Sequence, residues 1–174
     1  MSKPEFAPAF DLSNPPGLYD PSSNGYSHVA QLQPQAKLLY IAGQGGEDQQ
    51  GQLSLVFAEQ ARQALANLAI ALQSKGASLN DVFKLTLLIV DHDQEKLATW
   101  VEEIDRAWGA PMKPVCTLIP VPRLALDGMQ IEIDAVAALV PRQNQATDGR
   151  LFAANTGPVG PALAGRASPP TIEV

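Results

Sequence analysis

The chain has 174 residues, 45% of them apolar and 17% charged, with a formal net charge of −6 at neutral pH. That length predicts one domain with a sizeable core, and the acid excess argues against a nucleic-acid surface, which needs clustered Lys and Arg. A single cysteine, Cys116, excludes an intrachain disulfide framework and suits a reducing compartment.

The N-terminus lacks the charged-then-apolar layout of a signal peptide. No apolar run approaches the roughly 20 residues needed to span a bilayer, so the expected location is the cytoplasm, without membrane contact. Residues 1–25, rich in Pro, Ser, Asn and Gly, read as extended, with turns at Asn14–Gly17 and Asp20–Gly25. Strands are predicted over 26–33 and 37–43, joined as a hairpin by Pro34-Gln35-Ala36. A polar, glycine-rich loop over 43–48 follows.

Phe57, Ala61, Leu65, Leu68 and Leu72 recur at spacings of three and four, which predicts an amphipathic helix over 55–75 closed by Gly76. Residues 82–90 predict a strand with Phe83, Leu85, Leu87 and Ile89 on one face. A second helix over 94–108 carries Leu97, Trp100, Val101, Ile104 and Trp108 on one side, with Asp91 or Asp93 capping its start and Gly109 its end. Strands over 115–121 and 129–140 complete the body. The last alternates polar and apolar residues up to Asp134 and then turns wholly apolar, which puts Glu132 between wet and dry surroundings.

This order predicts an α+β sheet with both helices on one face. The opposite face would then need cover, which implies oligomerisation. Residues 141–174, with five prolines, four glycines and no apolar periodicity, are expected to form a flexible tail.

Several ordered stretches go beyond a generic α+β pattern. Gly25-Tyr26-Ser27, Ile41-Ala42-Gly43-Gln44, Gln60 through Leu68, Gly76 through Thr86 and Ile131 through Val136 together resemble the Rid family, the YjgF-like reactive-intermediate deaminases. The resemblance runs over residues 16–140, leaving 1–15 as a lead-in. It implies a chorismate-mutase-like fold assembled as a homotrimer, with a small-molecule pocket at each subunit interface. It also implies hydrolysis of imines or enamines to a carbonyl compound and ammonia.

Residue by residue, the resemblance places an aromatic contact at Tyr26 and a backbone contact at Gly43. Glu132 matches a glutamate thought to orient or activate the attacking water. The arginine that grips the substrate carboxylate is replaced by Cys116, and Leu118 holds a position whose backbone contacts ligand. Aligning on Pro111 instead would put Lys113 in the arginine's place, but this shifts the strand by three residues and swaps its faces.

A thiol cannot imitate the planar fork of a guanidinium. One lost charge-assisted bond costs about 1.5–3 kcal/mol, so weak or absent deamination of 2-iminoacids is expected. Cys116 itself reads either as a reactive thiol or as a small apolar filler. Ser27 and His28, adjacent on a strand, point to opposite faces and cannot form a dyad. His92, at a helix entrance, reads as solvated. Two distant histidines and one cysteine offer no metal-ligand spacing, and Gly43–Gly46 lacks the lysine and hydroxyl residue of a phosphate loop. Neither metal nor cofactor is expected. The expected function is thus imine or enamine hydrolysis with shifted substrate choice; the competing reading is a metabolite-binding protein on the same scaffold without turnover.

Overall fold

The computed structural model describes residues 8–140; the tail expected from residue 141 lies outside the described residues. The three-and-four spacing produces helices α1 (Phe57–Gln73) and α2 (Gln94–Trp108). The Asp93 side chain caps α2 by accepting from Lys96 N at 2.8 Å, and Gly109 ends it at φ 61°. No helix among the described residues is long and apolar enough to cross a membrane.

Six strands accompany the helices: β1 (Phe10–Ser13), β2 (Val29–Leu32), β3 (Lys37–Gly45), β4 (Val82–Val90), β5 (Val115–Val121) and β6 (Ile131–Leu139). The main sheet runs β3-β6-β4-β5, with β4 and β5 parallel and the other pairs antiparallel. Both helices pack on one face of this mixed sheet, an α+β fold. There Leu65, Leu68 and Leu72 of α1 and Trp100 and Ile104 of α2 close over Leu85, Leu87 and Ile89 of β4 and Ile131 and Ile133 of β6. Each fully buried side chain of this kind stabilises the fold by about 1.5–3 kcal/mol.

The opposite face carries Leu38 and Tyr40 of β3, Thr86 and Leu88 of β4, Ile119 of β5, and Glu132 and Asp134 of β6, as the registers require. No helix covers it among the described residues, and Tyr40 is 78% exposed.

Three local expectations are corrected. The first concerns the hairpin: β2 pairs with β1, from within the lead-in stretch, whereas β3 pairs with β6. The Gln33–Ala36 turn, with Gln35 at φ 69°, redirects the chain into the main sheet. The second concerns Phe83. A bulge between Val82 and Lys84 inserts one residue and inverts the alternation, so Val82 takes the core position opposite Ala137. Phe83 instead packs on the Phe10 ring at 5.9 Å. The third concerns the glycine-rich loop. β3 continues through Gly45, because an extra residue between Ile41 and Gln44 lets it keep pairing with β6.

Candidate active site

Glu132 lies near the start of β6, opposite Leu88 of β4 and Gly45 of β3. The bulge in β3 brings the Gly43 backbone against its side chain: a Cβ at residue 43 would stand 2.5 Å from Cδ and 2.8 Å from Cγ of Glu132. Gly43 and Glu132 thus lie together on the helix-free face of the sheet.

The start of β6 is fixed by a residue to which periodicity assigns no role. Gln60 of α1 is fully buried. Its amide donates to Ser54 O at 2.7 Å and Gly128 O at 2.8 Å, and its Oε1 accepts from Gln130 N at 2.8 Å. Gly46 permits the close approach of α1, since a Cβ there would stand 2.6 Å from the Gln60 Cα. Within the resembling stretch Gln60 was legible only as part of a motif; its polarity on a buried helix face was the available signal.

Tyr26, Cys116 and Leu118 meet elsewhere, in a cavity of about 400 Å³ between α2 and the edge strand β5. Leu87, Leu97 and Trp100 supply its apolar wall, and Asn24, His92 and Thr117 complete it. Tyr26 is positioned by its neighbour Ser27, which is buried, donates its Oγ to Lys113 O at 2.6 Å and bonds Pro114 O through its own N–H at 3.2 Å. The Tyr26 hydroxyl is hydrogen-bonded to that of Tyr19. His28 stands edge-on to both rings, at 5.5 Å from Tyr26 and 5.4 Å from Tyr19, and its Nε2 meets Tyr19 O at 2.9 Å. The hydrogen bond to Tyr19, reinforced by burial, pushes the Tyr26 phenol up to about 12. It therefore stays protonated at neutral pH.

Burial likewise pushes the Cys116 thiol up to about 12, against the opposing pull of Lys84 and with a smaller upward contribution from Asp134. A neutral, half-buried thiol is a poor nucleophile, so its surroundings suit the apolar-filler role. Lys113 is committed to the fold: its Nζ bonds Asp105 at 2.8 Å and Ala110 O at 2.6 Å. The expectation for His92 is corrected, because it is half-buried at the cavity wall and its Nε2 is buried without a hydrogen-bond partner. It shares that cavity with Asn24, Tyr26 and Cys116 from segments remote in the chain, which sequence position alone does not reveal. Ser27 and His28 bond different groups, as expected for residues that are not a dyad.

The two groups of residues do not meet within one chain. Leu87 pairs with Ile133 and Leu118, which puts the cavity on the helix-bearing face, whereas Leu88 pairs with Glu132 on the other. Among the described residues no group of three or more His, Cys, Asp or Glu side chains could hold a metal ion.

Comparison with known proteins gives a consistent picture. A family model described as endoribonuclease L-PSP matches residues 19–139. A mouse protein named 2-iminobutanoate/2-iminopropanoate deaminase is 31% identical over 120 residues, covering 67% of this chain and 82% of that protein. A RutC family protein of Pyrococcus horikoshii is 35% identical over 106 residues, 57% of this chain and 77% of its own. Among solved structures, a Rid-family protein of unknown function from Yersinia pestis, YyfB, superposes with a TM-score of 0.71 at 31% identity. It covers 75% of this chain and 99% of its own.

Proposed function

Because this chain belongs to the Rid (YjgF, endoribonuclease L-PSP) family, we propose that it hydrolyses reactive imines or enamines to carbonyl compounds and ammonia, working as a homotrimer. The mouse deaminase and the Rid-family neighbour support a general imine deaminase role. The observation that carries the reading is the partition of polar groups between the two faces of the sheet. Glu132 with Gly43 lies on the uncovered face, and Tyr26 with Leu118 lies in the cavity on the other. A neighbouring copy docked on the uncovered face would bring its own cavity to Glu132, completing a site at each seam.

Chemistry at such a seam is simple. Glu132 holds the attacking water and takes its proton as the carbon–oxygen bond forms, while the imine π pair moves to nitrogen. Protons delivered to that nitrogen release ammonia as the carbonyl re-forms. Tyr26, protonated throughout, donates a hydrogen bond to the substrate. Cys116 in place of arginine leaves a substrate carboxylate without its guanidinium partner, so turnover of 2-iminobutanoate is expected to be weak. This same replacement favours the second reading, a metabolite-binding protein without turnover.

The test combines light scattering with ammonia release from freshly generated imines. A trimer whose Glu132→Ala variant loses roughly a hundredfold or more in turnover, with product-ketone binding retained, supports catalysis. A solitary monomer, or turnover indifferent to residue 132, refutes it. The charge of −6 disfavours a ribonuclease role, since RNA phosphates require basic surfaces.

A further inference from the structure

The cavity beside Tyr26 is built for something uncharged. Leu87 and Leu118 wall it from the sheet, and Leu97 and Trp100 from α2. Among the described residues no lysine or arginine lines it. Cys116, at the position where the family resemblance implies a guanidinium, offers a neutral thiol instead. Lys113 is engaged by Asp105, and Lys84, whose charge reaches Cys116, belongs by its register with Val136 to the opposite face of the sheet. A carboxylate placed against such walls loses its hydration with no countercharge in return, and that penalty reaches several kcal/mol per ion. An apolar group gains from the same walls in proportion to the area it removes from water.

Besides the thiol, the polar side chains on the wall are Tyr26, Asn24, Thr117 and His92, whose buried Nε2 has no hydrogen-bond partner. The Tyr26 hydroxyl and the Asn24 amide provide donors and acceptors suited to an imine nitrogen or a carbonyl oxygen. A volume of about 400 Å³ lies in the lower part of the range typical of small-molecule pockets.

We propose that this cavity selects imines and enamines of uncharged, apolar carbonyl compounds, bearing an aryl or branched alkyl group and no carboxylate beside the reacting carbon. The proposal rests on the imine-hydrolase reading and narrows it to a substrate class. The step is balanced without a redox partner: water oxygen bonds to the imine carbon, the carbon–nitrogen bond breaks, and the nitrogen leaves as ammonia.

The experiment compares two product ketones, phenylacetone and phenylpyruvate, that differ in a methyl group replaced by a carboxylate, by calorimetric titration of the full-length protein. Phenylacetone should bind roughly tenfold or more tightly than phenylpyruvate, the worth of one charge-assisted contact. Cys116→Arg should reverse the order, and Leu97→Lys, which adds a cation from α2 rather than from β5, should narrow or reverse it should the first variant fail to fold. Phenylpyruvate binding as tightly as phenylacetone in the unmodified protein overturns the proposal, as would a cation contributed across the subunit seam; so does the absence of binding by either ketone. Preferential phenylacetone binding without accelerated ammonia release from the matching imine leaves the ligand class standing and removes the hydrolase reading.

Discussion

Gly43 presses its backbone against the carboxyl group of Glu132, leaving no space for a side chain between them: even a methyl group would stand 2.5 Å from the Glu132 Cδ. Gly43→Ala must therefore push the carboxylate aside or spread β3 from β6. Misplacement of a catalytic group by about 1 Å can cost roughly a hundredfold in rate, and overpacking costs about 1–3 kcal/mol in stability. The expected outcome is a turnover loss of that order with a folded protein, checked by ammonia-release kinetics beside a thermal melt.

The hydroxyl pair of Tyr19 and Tyr26 makes a separate prediction. Tyr19 is the main reason the Tyr26 phenol is raised to about 12. Removing that hydroxyl in Tyr19→Phe should bring Tyr26 back toward the ordinary tyrosine value near 10. Phenolate absorbance followed from pH 8 to 13 should show the change as one transition moving to lower pH. An unaltered Tyr26 transition would mean that the pair does not govern its ionisation.

Glu103 ties the two helices together from a nearly inaccessible position, 3% exposed. Burial pushes its carboxyl up, but hydrogen bonds from Arg62 and Arg106 outweigh this and hold it below the ordinary glutamate range. A lowered folded value makes the contribution complete above the unfolded pKa and lost as pH falls through the folded one. Both arginines are about half exposed and regain water when released, so the cost is discounted from that of a wholly buried pair. Glu103→Ala should cost about 2 kcal/mol at neutral pH, a fall in Tm of several degrees. Melts recorded from pH 7 to pH 3 should show the gap between variant and parent closing toward the acid end.

The helices and β4 were legible because their periodicity is local, and Leu65, Leu68, Leu72, Leu85, Leu87 and Ile89 all occupy the core as their spacing requires. Alternation misleads where a strand takes an extra residue. One insertion exchanges Val82 for Phe83 on the core face, and another carries β3 past the glycines into contact with Glu132. Pairing of β2 with β1 depends on which edges lie free in space, which the hairpin-like spacing of 26–33 and 37–43 conceals. The proposed site residues were identifiable one by one through the family motifs. Their division between faces was not, because it follows from the register of four strands rather than from any single segment. Gln60 and His92 escaped for a related reason: the groups around them come from segments remote in the chain.

In the proposed trimer, that division would give defective subunits a way to repair one another. A polypeptide damaged at Glu132 keeps a sound cavity, and one damaged at Tyr26 keeps a sound carboxylate. Denatured together and refolded as mixed assemblies, two variants that are each inactive alone would recover activity at about one junction in four by random mixing, wherever an undamaged surface of one kind abuts an undamaged surface of the other.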